Sequence, residues 1–322
     1  LTLALSSDHA RHAARYEAAM RQRNRLLADE RPADPEWLAA LEAAMAEHGR
    51  TIAAARAETV ARLNVRLADA PGWGAYIVSR TQQALREFAA EDAEFVQFFP
   101  EAHLLGAAQA RTPGSPVQLG CQGVYRADTA PGGNFGAFTT NLPASAAAML
   151  GCGYTLIGHC EERADKGGIL AEAGVKDAAA VSRILNQEIL RAQDRGLKVL
   201  YCIGETSEEQ PHWQDVLGEQ LRLGLQGADR SRIVIGYEPV WSIGPGKTPA
   251  DAPYIRKIAQ FVKHVTGGLD VVYGGGLKRD NAAMLAGIEE INGGLIALTR
   301  FQGQIGFYPE EYIEIIRTYL SK

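Results

Sequence analysis

The chain of 322 residues carries 33 Lys and Arg against 38 Asp and Glu, a formal charge of −5, and 46% of its residues are hydrophobic. That length exceeds one ordinary domain and falls short of three. The mildly acidic balance argues against a general nucleic-acid surface, and no apolar run reaches membrane-spanning length.

The opening Leu1-Thr2-Leu3-Ala4-Leu5 has neither the basic region nor the cleavage site of a secretory signal, so a cytoplasmic protein without a membrane partner is expected. Residues 1–70 are rich in Ala, Arg, Glu and Leu at helical periodicity, with almost no Gly. Two helices are predicted. The first spans about Ser7 to Ala28, capped by Ser6 or Ser7; the second spans about Pro35 to Leu67, with Asp34 as cap and Pro35 at its first position. Arg31-Pro32-Ala33 forms the turn of this hairpin, and Leu38, Leu41, Met45, Ile52, Val60 and Leu63 its apolar stripe.

Within the hairpin, the run from Tyr16-Glu17-Ala18-Ala19-Met20 through Arg21-Gln22-Arg23-Asn24-Arg25-Leu26-Leu27, with Glu47-His48-Gly49, resembles the helical arm of the RecF DNA-repair family. RecF-type function needs a Gly-rich phosphate loop with a lysine and an acidic strand end for magnesium. Neither occurs, and Lys166 is the first lysine in the chain. Charges balance in the arm, so a non-catalytic appendage is expected and a nucleic-acid partner is not.

Ala70-Pro71-Gly72-Trp73-Gly74 marks a boundary by its breakers, giving an arm over 1–72 and a second domain over 73–322. Strand patterns follow at Ala75–Ser79, Phe95–Phe99, Val117–Cys121, Tyr154–Ile157, Val199–Cys202, Ile233–Tyr237, Val271–Tyr273 and Leu295–Leu298. Helical patterns such as Val175–Arg195 and Pro249–His264 separate them, and Pro309-Glu310-Glu311 opens the last helix. Eight strand–helix units in about 250 residues predict an α/β fold, a (β/α)8 TIM barrel preceded by an α-helical hairpin. Chemistry in such barrels lies at the carboxyl ends of strands, where His159 and Glu238 both fall. Cys121, Cys152, Cys160 and Cys202 fit no CxxC or zinc spacing, and buried thiols in a reducing compartment are expected.

Four motifs occur in order: Gly158-His159-Cys160-Glu161-Glu162-Arg163, Cys202-Ile203-Gly204-Glu205, Tyr237-Glu238-Pro239-Val240-Trp241-Ser242-Ile243-Gly244-Pro245-Gly246-Lys247-Thr248, and Tyr273-Gly274-Gly275-Gly276. Their content and spacing resemble the triosephosphate isomerase family, clearly over residues 94–322 and faintly over 73–93. The resemblance implies an aldose–ketose isomerase that uses neither metal nor cofactor. Interconverting an aldose and a ketose needs a base for the carbon acid and an electrophile for the enediolate oxygen. Glu238 suits the base, since a carboxylate gains basicity when a lid excludes water. His159 suits the electrophile, ahead of a helical turn; a neutral ring there is a known property of the family that the resemblance carries over. Glu161 matches the acid beside the histidine, as a proton relay or as a structural ion pair. The resemblance assigns a phosphate-binding amide to Gly244, hinges to Pro239, Val240, Trp241, Lys247 and Thr248, a lid contact to the Tyr273 hydroxyl, and phosphate-turn amides to Gly275 and Gly276.

Departures cluster on phosphate grip and subunit contact. The family's strand one ends in Asn-x-Lys, absent here, and Arg80 is the candidate replacement, although a guanidinium is not a compact ammonium. Gly276 stands where the phosphate turn has serine, and Ala297 and Leu298 where the eighth strand has paired glycines. Arg300 follows as a second candidate anion ligand. Phe138-Thr139 resembles the loop through which the family forms homodimers, but Asn141 and Glu162 replace an acid and its arginine partner. The default substrate is glyceraldehyde 3-phosphate with dihydroxyacetone phosphate. Open alternatives are another small sugar phosphate, a barrel that no longer catalyses, or a chimeric chain with a DNA-repair-derived arm.

Overall fold

The computed structural model describes residues 9–28, 34–68, 72–89, 91–130, 133, 138–243, 247–300 and 306–321, the side chains of 9, 10 and 56–68 excepted. Four readings therefore lie outside the described residues: the Ser6 or Ser7 cap, the 31–33 turn, the Val60 and Leu63 side chains, and Gly244. The described chain divides into two compact units.

The first unit holds α1 (His9–Ala28) and α2 (Pro35–Ala68), together with Arg300 and Gly306, which form an isolated antiparallel bridge. Asp34 caps α2 as expected: Glu36 and Trp37 N–H donate to its Oδ1 at 2.9 and 3.3 Å. The helices pack through Ala19 and Leu41, both buried, and through the His12 and His48 rings at 5.1 Å. A Cβ on Gly49 would stand 3.3 Å from the Tyr16 ring, so the small residue admits the tyrosine.

The second unit begins with α3 (Trp73–Ala84). It continues as β1 (Phe95–Phe99), α4 (Glu101–Ala110), β2 (Val117–Cys121), α5 (Ala144–Met149), β3 (Tyr154–Ile157), α6 (Cys160–Glu172) and α7 (Ala178–Asp194). Then come β4 (Lys198–Ile203), α8 (Trp213–Gly224), β5 (Ile233–Tyr237), α9 (Ala252–Thr266), β6 (Val271–Tyr273), α10 (Ala282–Ala286), β7 (Gly293–Gly294) and α11 (Pro309–Leu320). The strands form one parallel seven-stranded sheet in chain order, β1 to β7. Parallel neighbours joined through helices, with buried apolar residues along the strands, make this the TIM-barrel fold class. Cys121, Cys152 and Cys202 are buried free thiols and Cys160 is half-buried.

Two strand readings need correction. Ala75–Ser79 is not a strand but lies inside α3, whose buried residues Gly74, Ile77, Val78, Thr81 and Gln82 follow helical spacing. Five residues were too short a window to separate alternation from that period. The last strand lies at Gly293–Gly294, ahead of the expected Leu295–Leu298, though Leu295 N–H still donates to the Tyr273 carbonyl at 2.9 Å. Among the described residues, β1 and β7 are thus end strands, with no strand pairing their outer edges. The helices behind them do meet. Arg80 of α3 pairs with Glu310 of α11 at 2.8 Å, and Arg317 of α11 pairs with Glu87 just beyond α3 at 2.6 Å.

Candidate active site

The sheet delivers two side chains to one point. β5 runs directly into Glu238, whose N–H donates to the Ile203 carbonyl at 2.8 Å, so the ladder to β4 extends to this residue. β3 runs through Gly158, at φ +84°, into His159, the N-cap of α6. A Cβ at Gly158 would stand 2.7 Å from the Cys202 carbonyl oxygen, so glycine is required by both conformation and space. His159 Nε2 then lies 3.1 Å from Glu238 Oε1, and the Cys160 N–H donates to Glu238 Oε2 at 3.0 Å.

The tautomer follows from the bonds. The Glu161 N–H donates to His159 Nδ1 at 3.4 Å, a long cap bond that makes Nδ1 the acceptor. With Nδ1 accepting, a neutral ring carries its hydrogen on Nε2, the nitrogen that faces Glu238.

Glu238 is 2% exposed, and burial pushes its carboxyl up to about 8. Its walls are glycines: a Cβ on Gly274 would meet Glu238 Cγ at 2.6 Å, and one on Gly204 would overlap the Glu238 carbonyl. The Cys160 N–H and the Arg163 charge oppose the rise of the Glu238 carboxyl without cancelling it.

Beyond Glu238, Pro239 leads into a 3-10 turn, Val240–Ser242. Glu205, fully buried, fastens it. Its Oε1 accepts from Trp241 Nε1 at 2.8 Å, the Tyr237 hydroxyl at 2.9 Å and the Tyr254 hydroxyl at 3.0 Å. Burial raises this carboxyl as well, against those three bonds. The motif containing Glu205 was visible in the sequence, but its three-way hold on this turn was not. Tyr273 is buried with its phenol beside Ser242, at the end of the 3-10 turn. Lys247 and Thr248 are exposed in the returning segment.

Not every expected residue joins this group. Gly276, at φ +94°, lines the same cavity as His159 and Glu238, as do Ala297 and Leu298. Gly275 lies in the same turn, where a Cβ would overlap the Tyr273 hydroxyl. Glu161 also lines it, but its side chain is 91% exposed and 3.9 Å from His159 Nδ1, too solvated to bias the ring strongly. Arg80 does not join: it sits on the outer helix ring, committed to Glu310. Arg300 belongs to the first compact unit.

Glu162 faces a second acid, Glu188, whose carboxyl is pushed up to about 8 by burial and by Glu162, with Lys166 shared between them. Glu162 accepts from the Gly158 N–H and from Lys166 Nζ (2.8 Å), and Lys166 also meets Glu188 at 3.0 Å. Arg163 secures the loop from behind, donating through Nε to the Gly158 carbonyl and through a terminal nitrogen to the Cys202 carbonyl, at 2.9 and 2.8 Å. His159, Cys160 and Glu238 bring a nitrogen, a sulfur and an oxygen within 4.8 Å of one another, a donor set a divalent cation could use.

Known proteins share this chain's sequence and fold. The family model "Triosephosphate isomerase" matches residues 74–317. The triosephosphate isomerase of Marinobacter nauticus is 34% identical over 240 residues, covering 71% of this chain and 85% of that protein. That of Syntrophotalea carbinolica is 31% identical over 256 residues, covering 76% and 91%. Among solved structures, the triosephosphate isomerase of Bartonella henselae matches with a TM-score of 0.56 at 25% identity, covering 75% of this chain and 92% of that one.

Proposed function

The chain belongs to the triosephosphate isomerase family, and from that premise we propose how its residues divide the work. It is an aldose–ketose isomerase, an intramolecular oxidoreductase. Glu238 takes the proton from the carbon next to the substrate carbonyl and returns it to the neighbouring carbon. His159 donates through Nε2–H to the developing enediolate oxygen. The observation that carries this reading is the 3.1 Å approach of His159 Nε2 to a Glu238 carboxylate that is almost wholly buried. Substrate would enter between the two and replace that contact with its own.

Pro239, Val240 and Trp241 form one hinge and Lys247 and Thr248 the other. Closure brings Gly244 to the phosphate and excludes water, and Tyr273 supports the closed lid. Gly275 and Gly276 supply turn amides. The substrate is a small sugar phosphate, by default glyceraldehyde 3-phosphate, in central carbohydrate metabolism of the cytoplasm. A homodimer through the Phe138-Thr139 loop belongs to the same reading. The division into an arm over 1–72 and a catalytic domain over 73–322 does too, as does the arm's RecF likeness without RecF chemistry.

A second reading, a barrel that no longer catalyses, has one observation in its favour. The cavity is lined by Asp92, Glu94, Glu161, Glu162 and Glu238, with no lysine or arginine among the described lining residues. Isomerisation of glyceraldehyde 3-phosphate in deuterated water tests both readings. Turnover with solvent deuterium at the carbon next to the carbonyl, absent in Glu238→Gln, is expected. A folded protein with no turnover above that blank overturns the default substrate, and a panel of other aldose phosphates then tests the second reading.

A further inference from the structure

The cavity that holds His159 and Glu238 has a volume of about 680 Å³ and a one-sided charge. Asp92, Glu94, Glu161, Glu162 and Glu238 line it, with no lysine or arginine among the described lining residues. A cleft walled by one sign of charge concentrates the opposite ion, here a cation. The nearest protein cations are already spent. Arg163 donates to the Gly158 and Cys202 carbonyls and to the Tyr201 hydroxyl, and Lys166 is held between Glu162 and Glu188.

At the carboxyl ends of β3 and β5 this acidic wall meets softer donors. A ring nitrogen of His159, the Cys160 Sγ and a Glu238 carboxylate oxygen all lie within 4.8 Å of one another. Cys160 Sγ is 3.8 Å from His159 Nδ1, and Glu238 Oε1 is 3.1 Å from Nε2. Ligands bound at about 2.0–2.3 Å to one tetrahedral zinc ion stand about 3.3–3.6 Å apart, so small side-chain rotations gather the three on one ion. A metal-binding imidazole usually gives its other N–H to a carboxylate. Either nitrogen has one here: Glu161 Oε2 is 3.9 Å from Nδ1, and Glu238 faces Nε2.

We propose that His159, Cys160 and Glu238 bind a divalent cation of the zinc class, which shuts the site. A nitrogen and a sulfur select such an ion over magnesium or calcium, which take oxygen ligands. On binding, Cys160 releases its thiol proton to the buffer, and Glu238 releases any proton it carries. The imidazole stays neutral, its hydrogen on the nitrogen that does not bind. Three protein donors leave the fourth position to water. The ion occupies the base and the electrophile together, so it and the sugar phosphate exclude each other. That inhibition rests on the isomerase reading; the binding does not.

The test titrates zinc chloride and cobalt chloride into the reduced full chain, with magnesium chloride as the control. Calorimetry should show a saturable site that releases at least one proton per zinc ion and is indifferent to excess magnesium. Cobalt should give a thiolate-to-metal charge-transfer band that Cys160→Ser abolishes. Cys160→Ser and Glu238→Gln, checked by their thermal melts, should each weaken zinc by about tenfold or more. A second readout needs no variant: zinc should slow iodoacetamide alkylation of half-buried Cys160 and leave that of buried Cys121, Cys152 and Cys202 unchanged. Undiminished zinc affinity in Cys160→Ser, cobalt binding without the band, or alkylation indifferent to zinc overturns the proposal. So does loss of the site in His12→Ala, which moves the ion to the His12–His48 pair, whose Nδ1 atoms are 3.1 Å apart. Turnover unaffected by saturating zinc overturns the claim that the ion shuts the site. A chain that binds zinc as described but turns over no sugar phosphate overturns the isomerase reading alone.

Discussion

The margin between β3 and β5 and the margin between β7 and β1 border one cavity but are held in different ways. Between β3 and β5, short-range constraints overlap. Gly158 has the only side chain its backbone tolerates, Arg163 grips two carbonyls, and Glu238 is bounded by glycines and by the Cys160 N–H. Between β7 and β1, the last described strand is two residues long, no strand among the described residues pairs its outer edge, and the buried Gln97 Oε1 has no described partner. Side chains proposed to exchange a proton with substrate need positional tolerance of well under an ångström, which an over-determined scaffold supplies. The other margin is set by few contacts among the described residues.

The sharpest way to break that comparison is to disarm the well-held side without unfolding it. Glu238→Gln keeps an acceptor for the Cys160 N–H and removes the base, so kcat should fall by about 10³-fold or more with the melting temperature maintained. The same variant reports on burial. A carboxyl lifted from 4.5 to about 8 binds its proton more tightly in the folded state than in the unfolded one. Folding stability is therefore greatest below 4.5 and declines as pH rises to about 8, an effect of roughly 2–5 kcal/mol by linkage. Urea unfolding at pH 5 and pH 8.5 should show that decline in the parent chain and lose it in Glu238→Gln. For the same reason the acidic limb of kcat/KM should fall near pH 8, rate rising as Glu238 deprotonates.

His159→Gln comes next. Losing a donor aimed at the developing oxyanion removes about 10²- to 10³-fold in kcat. Because Nδ1 serves as a cap acceptor to the Glu161 N–H, a small loss of stability should accompany it. An unchanged kcat would mean that another donor reaches the oxygen.

Glu205→Leu tests the hinge. It strips one acceptor from Tyr237, Trp241 and Tyr254 together, and leaving buried donors unpaired costs about 1–3 kcal/mol each at most. The melting temperature should drop by several degrees, and Trp241 should report the loosening in its fluorescence. Glu205 also shows where sequence reading ends. Its three donors lie 32, 36 and 49 residues away, and nothing local announces that they converge. By contrast, Phe95–Phe99, Val117–Cys121, Tyr154–Ile157, Ile233–Tyr237 and Val271–Tyr273 were legible because breakers bound short β-branched or aromatic runs. His159 and Glu238 were legible because they terminate such runs inside recognisable motifs. Ala75–Ser79 was not legible: an apolar pair read as strand alternation is there one face of a helix buried against α4.

The smallest expected effect addresses the loosely held side. Arg80 was the sequence's candidate for the cation that a phosphate site needs, yet its guanidinium is 58% exposed and bound to Glu310, 230 residues away, on the outer ring. If the ring pair is its whole role, Arg80→Ala should leave KM for the sugar phosphate unchanged and shift the melting temperature only slightly, as solvated ion pairs do. Glu310→Ala should reproduce that small shift, and the double variant should add little to either, since both remove the same contact. A several-fold rise in KM confined to Arg80→Ala would instead restore it as an anion ligand. The comparison between the two margins would then narrow to a difference in backbone pairing alone, with charge supplied from the helix ring.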